Sequence, residues 1–377
     1  MQYDEPITGG EFDNLLDQNP GVSESTKNAI EQVLGITDPS EPINVASATF
    51  DPETGELTVV QPSGQVNVLI VDLSGATEGQ VIQLNEALSQ ANVLIIDSDV
   101  SVTLTIGGAT ASGNDDGIFA AKADFNTVDR VIVSGNGDDI ITVSDNSNTT
   151  LEGGSGNDTL TTSGGNDSVT GGTGNDSVSA GAGDDTIVSG SGSDTVDAGA
   201  GYDLLQMSGS KSSYNITVQD GALVIAGANN ATVSNAEYIS FTDGGSMTVS
   251  GDVNVAAAMR MYESLLERSA EPGGAEFWAE AAASGSWTTA QIAEFFLHSD
   301  EFQSKFGNPD DLTNEQFVRA LYENSLGREA EQEGLDFWVN VLETDAYSRS
   351  QVTVFISGSP EAANYHSDTV QFIEGWI

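Results

Sequence analysis

From Gly153 to Gln206 the chain reads GGSGNDTLT, TSGGNDSVT, GGTGNDSVS, AGAGDDTIV, SGSGSDTVD and AGAGYDLLQ, six nonapeptides in succession without a gap. Asp158, Asp167, Asp176, Asp185, Asp194 and Asp203 therefore recur at intervals of nine. Two residues after each stands an aliphatic: Leu160, Val169, Val178, Ile187, Val196 and Leu205. A looser copy, SGNGDDIIT, begins at Ser134 and carries Asp139. Each nonapeptide divides into a glycine-rich turn and a strand of about three residues. Glycine supplies the positive-φ backbone that so tight a turn requires. With the aliphatic pointing inward, two nonapeptides complete one coil of a flattened parallel solenoid. Aspartates 18 residues apart then stack along one edge, roughly 4.8 Å from each other.

That stacking creates an electrostatic problem. Two bare carboxylates at such a distance repel by roughly 3.5 kcal/mol at an effective dielectric of about 20. No Lys or Arg lies between Val131 and Ser210, while twelve Asp or Glu do. A bound divalent cation is the missing term, the alternative being a cation-free glycine-rich linker. Ligands that are oxygen only, carboxylates plus turn carbonyls in a flexible ring, suit Ca²⁺ better than Mg²⁺ or a soft metal.

These residues resemble the calcium-binding nonapeptide repeats of repeats-in-toxin (RTX) proteins, G-G-x-G-x-D followed by x, an aliphatic and x. The resemblance implies a right-handed parallel β-solenoid, or β-roll, with a Ca²⁺ between each turn and the turn one coil later. Carried over, the pairs are Asp158 with Asp176, Asp167 with Asp185, Asp176 with Asp194, and Asp185 with Asp203. Carbonyls near Gly156, Gly165, Gly174 and Gly183 would complete the shells, and Asp139 is a further candidate ligand. Two copies depart from the pattern. The second has Thr162-Ser163 for its paired glycines, and the last has Tyr202 before its aspartate. Tyr214–Gly244 resembles the segment that closes such rolls.

A second repetition, offset by 60, occupies the last third. Tyr262-Glu263, Leu266, Arg268, Gly274, Phe277-Trp278 and Glu301 match Tyr322-Glu323, Leu326, Arg328, Gly334, Phe337-Trp338 and Glu361. Apolar spacing in both halves is helical, so the expectation is a duplicated all-α domain. The twin Phe-Trp pairs are expected in the core of each half rather than as sugar-stacking platforms. Arg268 and Arg328 are expected to form a salt bridge within each half. The shared pattern Y-E-x-x-L-x-R, G-x-x-F-W and S-x-E resembles a helical domain of unknown function that accompanies calcium rolls in exported bacterial proteins. It is also similar to phycobilisome-linker-like sequences.

The whole chain, at 377 residues, allows two or three domains. The expected order is an N-terminal arm with one short helix (1–42), a β-rich, solenoid-like segment (43–152), the calcium roll (153–206), a β cap (207–252) and the duplicated helical domain (253–377). In residues 1–42, Ser23 or Ser25 caps a helix whose apolar face is Ile30, Val33 and Leu34, and Gly35 stops it. So short an arm is expected to pack on a neighbouring subunit or a surface partner.

Composition removes several functional classes. Lys and Arg number 10 against 58 Asp and Glu, a net charge of −48. Such a surface repels nucleic acid and anionic lipid and attracts cations. Without cysteine there are no disulfides, thiolate metal sites or cysteine nucleophile. His298 and His366 are too far apart in sequence for an H-E-x-x-H zinc helix. The glycine-rich turns have no cationic partner for phosphate, and no G-x-S-x-G occurs. Asp97-x-Asp99-x-Ser101 lacks the glycine of an EF-hand and reads as a turn. Asp115-Asp116 and Asp138-Asp139, with Lys122 and Arg130 nearby, could serve a polysaccharide lyase or epimerase, but extra calcium ligands or plain turn acids fit them better.

No apolar run reaches the roughly 20 residues a membrane span needs, and the acidic start does not read as a secretory signal peptide. The resemblance implies the one-step bacterial export route, in which an uncleaved C-terminal region is recognised; the terminal FIEGWI is compatible with that role. The functional expectation is a non-enzymatic, extracellular, calcium-stiffened protein of a surface layer, filament or matrix, a homo-oligomer or ordered array. The alternative is a calcium-dependent adhesin or carbohydrate-binding protein that recognises a cell-surface polysaccharide.

Overall fold

The computed structural model describes residues 6–17, 22–36, 38–40, 42–51, 56–60, 66–73, 76, 91–98, 101, 103–106 and 130–376. Asp99, Asp115, Asp116 and Lys122 lie outside the described residues. The chain forms two compact units, Met1–Thr217 with Ala222–Ala236, and Val218–Gly221 with Glu237–Ile377.

The first unit is a parallel roll of two facing sheets. Leu151 is in register with Val169, Val169 with Ile187 and Ile187 with Leu205 in one sheet. Leu160 pairs with Val178 and Val178 with Val196 in the other. One coil therefore takes 18 residues, and the aliphatic of every nonapeptide is buried. Its strand neighbours in the first three repeats are serine and threonine. They alternate with it to give the in-and-out burial of a strand with one face in a core, as in Ser168–Thr173.

The same stacking continues toward the N-terminus. Thr149–Ser155 pairs in parallel with Arg130–Val133, which pairs with Val93–Asp97, then Val68–Asp72, then Val45–Asp51; Glu56–Val60 adds an antiparallel edge. In the second sheet Thr159–Thr161 pairs with Ile140–Val143, and that with Thr103–Ile106. At the other end, Asn230–Ser234 runs parallel beside Ser193–Ala200, and Ala222–Ala226 pairs antiparallel with Asn230–Ser234.

The N-terminal segment differs from the sequence expectation of one short helix. It holds two helices, Gly9–Asp17 and Glu24–Leu34, and packs on its own chain. Phe12, Leu16, Ala29 and Ile30 share a core with Val45, Val68, Val93, Ile95, Val131 and Val133. Strands 68–72, 93–97 and 130–133 carry aliphatics on both faces, as in VLIID and RVIV. One face fills the roll, and the other needs a cover. The Ser23 side chain accepts the Thr26 N–H at the start of the second helix, and Gly35 at φ 65° ends it.

The second unit joins a small sheet to a helical duplication. Tyr238–Phe241 pairs antiparallel with Ser246–Ser250, which Val370–Phe372 flanks in parallel. Four helices, Val253–Leu266, Pro272–Ala283, Thr289–Leu297 and Asp300–Phe306, recur as Asn314–Leu326, Gln332–Glu343, Arg349–Ser357 and Pro360–Tyr365. Matching capping boxes, Thr288 with Gln291 and Ser348 with Gln351, start the third helix of each set. Arg268 bridges Glu271 and Glu301 over the Tyr262 ring; Arg328 bridges Glu331 and Glu361 over Tyr322.

The Phe-Trp expectation holds for one residue of the first pair only. Trp278 is buried, but Phe277 and Phe337 are 55% and 57% exposed. Consecutive helix residues point about 100° apart, and in both pairs the phenylalanine is the one turned to solvent. Phe295 and Phe355 are exposed at corresponding places.

Candidate calcium sites

The turns bring the repeated aspartates into two columns. Gly156 and Gly174 stand at φ 128° and 134°, in the region that favours glycine. A Cβ on Gly174 would lie 1.8 Å from the Gly156 carbonyl oxygen, and one on Gly192 would lie 1.7 Å from that of Gly174. Added carbons on Gly183 and Gly201 would meet the carbonyls of Gly165 and Gly183 at 2.1 and 2.0 Å. Carbonyls of all four sequence-predicted glycines thus point along the stack toward the following coil.

Each repeat aspartate turns one carboxylate oxygen toward the preceding coil. Oδ1 of Asp158, Asp176 and Asp194 accepts the backbone N–H of Asp139, Asp158 and Asp176, at 2.8, 2.9 and 3.0 Å. In the other column, Oδ1 of Asp167, Asp185 and Asp203 accepts from Thr149, Asp167 and Asp185, at 2.7, 2.7 and 2.8 Å. These six side chains are at most 3% exposed. Their second oxygens, Oδ2, are all buried; those of Asp158, Asp176 and Asp185 accept no hydrogen bond, while the Thr162 and Ser189 hydroxyls lie by Asp167 and Asp194. A Cβ on Gly153 or Gly171 would lie 2.6 or 2.7 Å from Oδ2 of Asp158 or Asp176, so that oxygen faces the turn of its own repeat. Asp139 sits in the same column but differs, because its Oδ2 accepts the Ser134 hydroxyl.

A second ladder involves residues that the nonapeptide count does not single out. Asn148, Asn157, Asn166, Asn175 and Asp184 accept the N–H groups of Asn166, Asn175, Asp184, Ser193 and Tyr202, each one coil later. Asp138 accepts from Asn157 in the same way. The visible signal is the Asn or Asp placed directly before the aspartate in most repeats. Adjacent coils are therefore laced in both directions, forward by this residue and backward by the aspartate. The sequence SDNSNTTLE, residues 144–152, also proves to be a degenerate repeat, with Asn148 in the ladder and Leu151 in the aliphatic column.

The electrostatics demand a cation. Burial pushes the carboxyls of Asp158, Asp167, Asp185 and Asp203 up to about 7 and that of Asp176 to about 6, and it raises Asp194. The bond from the preceding coil opposes the rise in each case. Neighbouring carboxylates add to it, Asp139 and Asp176 at Asp158 among them. Buried anionic oxygens short of donors are a cost that a fold sustains only with a counter-ion or protons.

The residues fit a calcium ion. The donor set is oxygen only, with carboxylates and turn carbonyls in close succession. Among the described residues no three carboxylate or imidazole side chains converge on one point, so backbone carbonyls would have to complete any shell. The ion would supply positive charge to the orphaned oxygens and draw consecutive coils together.

Comparison with known families agrees with this chemistry. Residues 143–178 and 170–205 match the RTX calcium-binding nonapeptide repeat (4 copies), and residues 257–306 and 293–366 match a domain of unknown function, DUF4214. Residues 143–205 of the roll thus carry RTX calcium-binding repeats, and the helical duplication carries the second family's pattern. The first match takes in the degenerate repeat at 144–152. No curated protein and no solved structure matches the chain.

Proposed function

We propose that this is a secreted structural protein that folds on calcium outside the cell and assembles there into a surface layer, filament or matrix. The observation that carries the calcium part is the burial of the six repeat aspartates, Asp158, Asp167, Asp176, Asp185, Asp194 and Asp203, with the Oδ2 atoms of Asp158, Asp176 and Asp185 accepting no hydrogen bond. RTX repeats are typical of secreted proteins, and among the described residues no helix is long and apolar enough to cross a membrane. At low calcium the columns repel themselves and the repeats stay open. Sites of the weak extracellular class, with Kd about 10⁻⁴ to 10⁻³ M, fill outside and drive folding.

Assembly is supported by the aromatic rings exposed at matching places in both helical sets, Phe277 and Phe295, Phe337 and Phe355. The same rings favour a second reading, adhesion to a neutral glycan by stacking. A solenoid polysaccharide enzyme is less well supported: Asp139 is fully buried in the aspartate column rather than presented to a groove.

Calcium titration of the purified protein, followed together by circular dichroism and light scattering, tests the proposal. Folding and ordered association that both appear with calcium and dissolve in chelator are the expected result. Folding without association, together with monomeric glycan binding, would favour adhesion. A roll that holds its structure in chelator at neutral pH would refute the calcium reading.

A further inference from the structure

The two aspartate columns end differently at the N-terminal side. One runs back through Asp194, Asp176 and Asp158 to Asp139. The other runs through Asp203, Asp185 and Asp167 and meets Thr149, whose N–H bonds to Asp167. One coil further back, Thr149 is in register with Arg130, and Leu151 with Ile132. Ile132 thus occupies the aliphatic column, and Arg130, two residues before it, stands in the place that aspartate holds in the later coils.

The arginine is not a surface charge. It is fully buried, and one guanidinium nitrogen reaches both carboxylate oxygens of Asp145, at 2.9 and 3.1 Å, and the Ser147 hydroxyl at 3.1 Å. Asp145 and Ser147 belong to the degenerate turn 144–149, where they replace the second and third glycines of the motif. Asp145 also accepts the Ser147 N–H, and the Thr149 hydroxyl donates to the Ser147 carbonyl. The aspartate is lost at 149, the turn glycines are lost at 145 and 147, and a buried cation arrives in the coil before. These changes occur together at the same end of the same column.

We infer that Arg130 replaces a calcium ion: its guanidinium supplies, at the start of the second column, the positive charge that the ion supplies between the later coils. The inference rests on the calcium reading of the repeats. Arginine suits the task because it stays charged when buried and fixes a carboxylate through directed donors. This end of the aspartate column is then closed by the chain itself, beside Val131 and Val133 in the core that the N-terminal helices cover. The coil of Arg130 needs no ion, and calcium orders the coils that follow it.

The test restores the motif. A variant combining Arg130→Ser with Ser144→Gly, Asp145→Gly, Ser147→Gly and Thr149→Asp rewrites the turn as a standard repeat. Calcium bound per chain, by equilibrium dialysis with atomic absorption, is expected to rise by one ion relative to the natural protein. An unchanged count in a folded variant overturns the inference and leaves the calcium reading intact. A natural protein that binds no calcium overturns both. Should the rewritten turn not fold, Arg130→Gln and Arg130→Lys decide by separating charge from shape. The calcium midpoint of folding is expected to rise at least threefold for glutamine and to stay within threefold for lysine. Equal midpoints for the two variants overturn the inference.

Discussion

Removal of calcium should reverse the pH dependence of the roll. Ion-free, Asp158, Asp167, Asp185 and Asp203 sit at about 7 in the folded chain against an ordinary 3.8, with burial as the leading cause. Their folded values lie above the unfolded one, so the ion-free fold binds more protons than the unfolded chain. Its stability is therefore greatest below about pH 4 and is lost as pH rises toward 7. For one carboxyl, a rise of that size corresponds to about 4 kcal/mol against the ionised form. Four together reach on the order of 15 kcal/mol, the whole net stability of an ordinary domain. In chelator at about pH 8 the repeats should be unfolded, and acidification to about pH 5 should recover β-structure. With saturating calcium the slope inverts, because the ion holds the carboxylates ionised and protons compete with it. Far-ultraviolet circular dichroism across pH, with and without calcium, measures both slopes. An ion-free roll equally folded at the two pH values, or a calcium-loaded roll that gains stability on acidification, would refute the reasoning.

Two pairs of substitutions probe the repeats more locally. Asp176 is interior, accepting from Asp158 and donating to Asp194, whereas Asp203 ends its column; Asp176→Asn should therefore lower the bound calcium more than Asp203→Asn, as equilibrium dialysis would reveal. Gly174→Ala would set a carbon 1.8 Å from the Gly156 carbonyl, whereas a Cβ on Gly221, also at positive φ, meets nothing within 4 Å. The Gly221→Ala change should cost about 1 kcal/mol in backbone strain, and Gly174→Ala several times as much, with thermal melts in saturating calcium as the measurement.

Much of the roll can be read directly from residues 153–206, because spacing by nine with one aliphatic per repeat has few structural solutions. Inward burial of Leu160, Val169 and their counterparts follows from a period that equals half a coil. What the spacing hides is the direction of each carboxylate oxygen. Whether Oδ1 of Asp176 reaches back to Asp158 or forward to Asp194 depends on turn geometry, not on composition. The forward ladder of Asn157, Asn166 and Asn175 is hidden for the same reason. The N-terminal cover is harder to read, since Val131 and Val133 are indistinguishable by type from Ile132, yet they face the helices while Ile132 faces the roll. Exposure of Phe277 and Phe337 likewise depends on the rotation of their helices, which a duplicated Phe-Trp pair leaves open.

The double lacing bears on how calcium would act. Asp176 uses its Oδ1 for the Asp158 N–H, while its own N–H goes to Oδ1 of Asp194. Every interior aspartate is thereby fixed by both neighbouring coils through hydrogen bonds that need no metal. Those bonds set the side-chain direction in advance and leave Oδ2 buried at the turn, where at Asp158 and Asp176 the first residue of the repeat, Gly153 or Gly171, leaves it room. An ion that engages Oδ2 would therefore meet an oriented oxygen and would not have to order the side chain itself. It would also hold in place the neighbouring coil, whose aspartate then presents the next Oδ2. Stability in such a one-dimensional stack is a sum of coil terms and nearest-neighbour terms. Calcium would enter through the nearest-neighbour terms, so the repeats should order as a progression from coil to coil rather than as independent sites.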